Sequence, residues 1–178
     1  MEATRRARLE DADRLAALTA DAVSEQLEGR GGRIWSQREA RALPAHDTLA
    51  AAIADPGQLV LAGTIDDTVI GYAAARVEAL GDGTLLGVVT DIFVEPGARA
   101  VGVGEVLLDE VVAWCTARGC VGIDALALPG NRETKNFFET FGFKARAIVV
   151  HRNLIDPPEP PRVPPSAVLR EVVPTPGP

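Results

Sequence analysis

The stretch Val88-Val89-Thr90-Asp91-Ile92-Phe93-Val94-Glu95-Pro96-Gly97-Ala98-Arg99-Ala100-Val101-Gly102-Val103-Gly104 decides the fold of this chain. Val88 to Val94 is a β-branched, apolar run that reads as a buried strand. Pro96 and Gly97 end it, because proline donates nothing to a ladder and glycine opens a turn. A short loop with two glycines follows, and Glu105 to Cys115 then carries apolar residues at helical spacing. The order is strand, glycine loop, helix. Such a loop offers bare backbone N–H groups next to the positive end of a helix, which suits a phosphate or pyrophosphate.

Three loop patterns of this kind differ in their fixed residues. A P-loop requires lysine after its last glycine, and here Glu105 follows Gly104. A dinucleotide fingerprint requires a third glycine, and position 107 is leucine. The pattern Arg/Gln-x-x-Gly-x-Gly/Ala is met at every fixed position by Arg99-Ala100-Val101-Gly102-Val103-Gly104. That loop resembles the acetyl-CoA pyrophosphate loop of the GNAT N-acetyltransferase superfamily. Downstream, Asn131-Arg132-Glu133-Thr134-Lys135-Asn136-Phe137-Phe138-Glu139-Thr140-Phe141-Gly142-Phe143 is similar to the family's late helix and its Gly-Phe ending. The resemblance spans roughly residues 4–152 and is specific from about 88 to 146.

Working outward, Thr4 to Leu9 is a candidate first strand, and Asp11 or Asp13 would cap a helix reaching Leu27. Gly29-Arg30-Gly31-Gly32 breaks that helix. Ser36 would cap a second one to about Arg41, and His46-Asp47 leads a third to about Asp55. Gln58–Ile65 and Thr68–Leu80 read as strands joined by an Asp66-Asp67 hairpin turn, and Thr84–Val94 as the next strand. A helix over 104–118 is closed by Gly119. Val121–Leu128 is a strand, Asn131 opens the last helix, and Lys144–Arg152 is the last strand. The fold class is α/β (α+β), a mixed, mostly antiparallel twisted sheet flanked by helices. The resemblance implies the same GNAT-like acyltransferase fold. Residues 1–155 form one domain. Nine of the 22 residues after Asp156 are proline, so 156–178 is an extended or disordered tail.

The net charge of −7 disfavours nucleic acid as a partner and mildly favours a cationic one. No apolar run reaches the roughly 20 residues of a membrane span, and the N-terminus lacks the apolar core of a signal peptide, so a cytoplasmic protein is expected. His46 and His151 are far apart and suggest no metal cluster. Cys115 and Cys120 read as reduced thiols.

The resemblance implies acetyl-CoA lying where two parallel strands, Val88–Val94 and Val121–Leu128, splay apart. The amides of Ala100, Val101, Gly102, Val103 and Gly104 would cradle its pyrophosphate, with Arg99 at the mouth of the loop. Phe93 and Val94 would pair with the pantetheine amides, and Asn131 would reach the same arm. An amine acceptor would then attack the thioester directly, which makes catalysis mainly positioning and proton transfer. Asp91 is the best candidate base, with Glu95 and Glu78 behind it. Many relatives carry tyrosine at position 138 to protonate the thiolate, and this chain has Phe138. Tyr72, the only tyrosine, is the candidate substitute, with core packing its alternative role. Glu25, Glu28 and Trp35 lie in the region that meets the acceptor in this family. A small-molecule amine is the favoured acceptor, a protein N-terminus or lysine the second, and a homodimer the default assembly. The rival reading is a non-catalytic acyl-CoA-binding protein that lost its acid.

Overall fold

A computed structural model describes residues 1–155; the proline-rich tail at 156–178 lies outside the described residues. The chain divides into a first unit, Met1–Lys144, and a second that begins at Ala145. The first unit holds five strands in the order β1-β2-β3-β4-β5: β1 Glu2–Arg6, β2 Gln58–Ile65, β3 Thr68–Ala79, β4 Leu85–Val94 and β5 Cys120–Asp124. Neighbours pair antiparallel through β4, and β4 pairs parallel with β5. Its helices are α1 Ala12–Leu27, α2 Gly32–Arg38, α3 His46–Ala54, α4 Val103–Ala117 and α5 Arg132–Thr140. None is long and apolar enough to cross a membrane.

The hairpin from β2 to β3 turns on Asp66 and Asp67, both left-handed (φ 47° and 65°). Two positive φ values in a two-residue loop match the right-handed twist of the strands, and aspartate tolerates that region better than most residues.

The sheet is packed on both faces. On one, Leu59, Leu61, Ala73, Ala75, Val89 and Val94 meet Leu107, Leu108 and Val111 of α4 and Phe138 of α5. On the other, Val60, Tyr72, Ala74 and Phe93 meet Leu15 and Leu18 of α1 and Leu49 of α3. Both cysteines are free, and burial pushes the Cys115 thiol up to about 11.

Several local expectations are corrected. The first strand stops at Arg6, and Leu9–Asp11 is a 3-10 turn. Asp11 precedes α1 but does not cap it through its side chain; the carboxylate is taken by the Arg8 N–H at 2.7 Å and by the Arg5 guanidinium. The second helix starts inside the glycine run at Gly32, after a left-handed Gly31, and ends at Arg38 rather than Arg41. Ser36 is interior to it and bonds back to the Arg33 carbonyl. The fifth strand ends at Asp124, four residues short of Leu128. Lys144–Arg152 forms no strand. A β-branched run such as Ile148-Val149-Val150 makes a strand only where a neighbour completes the ladder, and among the described residues this segment pairs with none. In the second unit Ile148, Val149 and Val150 are all more than four-fifths exposed.

Candidate acetyl-CoA and acceptor site

The site begins with a change of register. Ala74 pairs with Asp91, whereas Ala75 pairs with Val89, so Thr90 is an extra residue on β4. Such a bulge reverses the alternation of side chains beyond it. Val89 therefore faces α4, while Asp91 and Phe93 face α1 and α3.

β4 also outlasts its parallel neighbour. The ladder to β5 runs only from Leu85↔Cys120 to Val88↔Asp124. Among the described residues, no strand lies beside that edge of β4 from Val89 to Val94, and its polar groups, apart from the Val94 carbonyl that Arg99 holds, are open to an extended ligand. Beyond Glu95 the chain makes a 3-10 turn, Pro96–Ala98, and reaches the glycine loop. Ala100 (φ 65°) and Gly102 (φ 93°) are both left-handed, a backbone arrangement that turns successive N–H groups inward. No side chain caps α4. Its first bond runs from the Val106 N–H to the Gly102 carbonyl, which leaves the N–H groups of Val103, Gly104 and Glu105 without an intrahelical acceptor. Gly104 lies under the Phe137 ring, which a Cβ there would approach to 3.3 Å. Free strand edge, inward N–H groups and bare helix start fit an extended arm that ends in a pyrophosphate.

The other predicted residues are placed as follows. Arg99 lies back along β4: its Nε donates to the Val94 carbonyl at 2.9 Å, its Nη2 to Glu25 at 2.6 Å, and its guanidinium sits 5.4 Å from the Phe93 ring. Asn131 caps α5, accepting from the Thr134 N–H at 3.0 Å, and donates to Gln26 of α1 at 3.2 Å. Phe138 is buried against Phe137 and Phe143.

Asp91 and Tyr72 come together, but in a network the sequence does not announce. Arg41 grips the Asp91 carboxylate with two bonds, Nε to Oδ1 at 3.1 Å and Nη2 to Oδ2 at 2.5 Å. Thr90 donates to Oδ2 at 2.8 Å and Tyr72 to Oδ1 at 3.2 Å. Tyr72 also lies 2.7 Å from Thr19, whose hydroxyl is 2.8 Å from the Leu15 carbonyl. Burial first, then the negative charge of Asp91, pushes the Tyr72 hydroxyl well above the ordinary phenol range. A phenol so placed keeps its proton.

Beside this network, Asp21, Ser24 and Glu25 of α1 and Phe93, Glu95 and Pro96–Ala98 line an open groove of about 700 Å³. Glu25 is paired with Arg99, and Glu95 with Arg14 at 2.7 Å. Among the described residues, Asp21 makes no ion pair. Glu78 pairs with Arg76 instead, opposite Leu86 and away from this groove. Sequence reading missed Arg41, Thr19, Arg14 and Asp21. The partners of the first three lie 50, 53 and 81 positions away, so no local spacing signals them.

A mixed five-stranded sheet whose last two strands part above a glycine loop defines the GNAT acyltransferase fold. The chain belongs to this family: the model of the Acetyltransferase (GNAT) family matches residues 16–143. No curated protein matches the sequence. Similar solved structures include a tetramutant of the BH1408 protein from Bacillus halodurans (17% identity, 85% of this chain and 99% of that one, TM-score 0.73). They also include AAC(6')-Iy in complex with the bisubstrate analogue CoA-S-monomethyl-acetylneamine (18%, 86% and 97%, 0.66). A third is ribosomal-protein-alanine N-acetyltransferase from Brucella melitensis biovar Abortus 2308 (17%, 86% and 100%, 0.63). At these identities the likeness shows the fold alone.

Proposed function

We propose that this chain moves an acetyl group from acetyl-CoA to a primary amine by direct attack in a ternary complex. The carrying observation is the unpaired edge of β4 from Val89 to Val94, leading into left-handed Ala100 and Gly102 and the bare start of α4. Phe93 and Val94 would bind the pantetheine amides there, and the amides of Ala100 to Gly104 the pyrophosphate. Arg99, held at the end of β4, sets the mouth of the loop. Asn131 holds α5 to α1 through Gln26 and so borders the same arm. A β4 N–H would stabilise the oxyanion as the amine attacks.

The groove beside Phe93 supports a small cationic amine, because its charged lining side chains, Asp21, Glu25 and Glu95, are all carboxylates. Two fold neighbours are consistent with N-acetyl transfer: one is bound to the bisubstrate analogue CoA-S-monomethyl-acetylneamine, and another is named a ribosomal-protein-alanine N-acetyltransferase. Asp91 is the proposed base, and Tyr72, with its hydroxyl committed to Thr19 and Asp91, supports the site by packing rather than as an acid. Water would protonate the thiolate, whose ordinary pKa of about 8.5 makes it a fair leaving group. A cytoplasmic homodimer completes the reading.

One observation favours a second reading. Phe138 is buried among phenylalanines and offers no proton, which suits a protein that binds acyl-CoA without turnover. Calorimetric titration with acetyl-CoA, repeated on Gly102→Glu, tests the loop. A thiol-release assay over polyamines, aminoglycosides, amino acids and peptides separates the two readings. Binding lost in the variant together with thiol release by wild type supports the enzyme. Binding without release supports the rival, and no binding overturns both.

A further inference from the structure

We infer that Arg41 is a displaceable counter-ion of Asp91, which gives way to the acceptor's ammonium group and thereby makes the cleft select protonated amines. The inference rests on the N-acetyltransferase reading and names the residue that would set acceptor charge.

The side chains of Arg41 and Asp91 are only 13% and 7% exposed. A carboxylate that buried is strongly disfavoured without a cation beside it. Whatever removes Arg41 must therefore bring a positive charge to the same oxygens. An alkylammonium does so with three donors, and a neutral isostere does not.

Asp91 shares its face of β4 with Phe93, two residues on and roughly 7 Å away; Phe93 lines the acidic groove, and Asp91 is the buried carboxylate next to it on that face. Arg41 and the proposed acceptor would thus compete for one carboxylate. As long as Arg41 holds it with two bonds, with further donors from Thr90 and Tyr72, the Asp91 oxygens are fully occupied. Exchange of the guanidinium for an ammonium would put the reacting nitrogen's proton directly on the carboxylate that must accept it.

The tether allows the exchange. Arg41 lies in the connection 39–45 between α2 and α3. The backbone of Glu39 and Ala40 is bonded to the Trp35 carbonyl, and Ala45 accepts from Leu49 and Thr48. Among the described residues, the only hydrogen bonds made by residues 41–44 are those from Arg41 to Asp91. Release of that pair frees the connection without breaking any other bond. The guanidinium then regains its hydration, while Asp91 keeps a cation.

The experiment is a calorimetric titration of propylamine hydrochloride, with propanol as the neutral control, into wild type, Arg41→Gln and Asp91→Asn. Melting curves and acetyl-CoA titration verify that each variant is folded. Arg41→Gln is expected to bind propylammonium about tenfold more tightly than wild type, and Asp91→Asn to lose that binding, with propanol unaffected throughout. In turnover the same variant should lower the KM for the amine. If Arg41→Gln does not fold, Arg41→Lys, which keeps the charge but loses the two-bond grip, should show a smaller gain in the same direction. Equal or weaker propylammonium binding in the folded variant makes Arg41 a fixed counter-ion and overturns the inference. That result, with thiol release by wild type intact, leaves the N-acetyltransferase reading standing. Failure of that reading shows separately, as acetyl-CoA bound and no thiol released with any amine.

Discussion

Val89 and Asp91 are two positions apart on one strand, yet their side chains face opposite sides of the sheet. The cause is the extra residue Thr90, where the ladder steps from Ala75↔Val89 to Ala74↔Asp91. Were Thr90 instead paired in regular register, Asp91 and Phe93 would share a face with Val89 in the α4 core, and the groove would lose its Phe93 wall.

Deletion of Thr90 should therefore leave both faces intact. It makes Val89 and Asp91 adjacent, and neighbours on a regular strand point to opposite sides, so Val89, Asp91 and Phe93 keep the faces they have. Thr90→Ala removes only the 2.8 Å bond to Asp91 and should cost about 1 kcal/mol. The deletion should cost about the same, measured by urea unfolding. A loss of about 3 kcal/mol or more for the deletion alone would mean that the bulge itself is required.

Gly102 and Gly97 offer a contrast within one loop. Gly102 is left-handed, and a Cβ there would make only an ordinary contact with Glu2, at 3.6 Å. The penalty for Gly102→Ala is thus conformational, about 1–2 kcal/mol. A Cβ on Gly97 meets nothing within 4 Å, and its φ is not left-handed, so Gly97→Ala should fall within about 0.5 kcal/mol of wild type. Chemical denaturation of both variants checks the difference.

Tyr72→Phe keeps the ring and removes the hydroxyl. The oxygen of Thr19 retains the Leu15 carbonyl, and Asp91 retains Arg41 and Thr90. Stability should fall by about 1–2 kcal/mol, with kcat changed by less than about threefold. A proton donor to the thiolate would instead lower kcat by about a hundredfold or more. The kinetics of this one variant decide between the two roles.

Asp11 should shape the acid limb of the stability curve. Hydrogen bonds from the Arg5 guanidinium, and then from the Arg8 N–H, hold its carboxyl below the usual carboxylate range of about 3.8, against the opposing effect of burial. A carboxylate whose folded pKa is depressed adds stability above the unfolded value, and that stability is lost as pH falls through the lower folded value. Asp11→Asn should thus be destabilised near neutrality by about 2 kcal/mol. The gap from wild type should narrow as pH falls below about 4. Melting temperatures across pH 2–7 provide the measurement.

Gly87 lies where β4 passes α4, and a Cβ there would come within 2.5 Å of the Cys115 sulfur. Gly87→Ala should cost about 1–3 kcal/mol by overpacking. Cys115→Ala should relieve much of that, so that the double variant is more stable than the sum of the single effects predicts.

The sequence by itself determined the strand-loop-helix unit and its neighbours. Gln58–Ile65 is a strand at the residues read for it, and the Asp66-Asp67 turn and the Gly102 helix start follow from local backbone chemistry. A left-handed turn, a helix start and a β-branched run are stabilised within a few residues, so local composition reports them. Wherever stability depends on a distant partner, the sequence was silent or misleading. Lys144–Arg152 has the pattern of a strand and no ladder. Val121–Leu128 loses its second half because β4 and β5 part after Asp124. Asp11 has the look of a helix cap but gives its carboxylate to Arg5. Only the tertiary structure decided that Asp91 is held by Arg41 from 50 residues away, and that Tyr72 is spent on Thr19 and Asp91. An ion pair depends on which side chains the folded backbone brings within about 3 Å, and spacing along the chain carries no record of that distance.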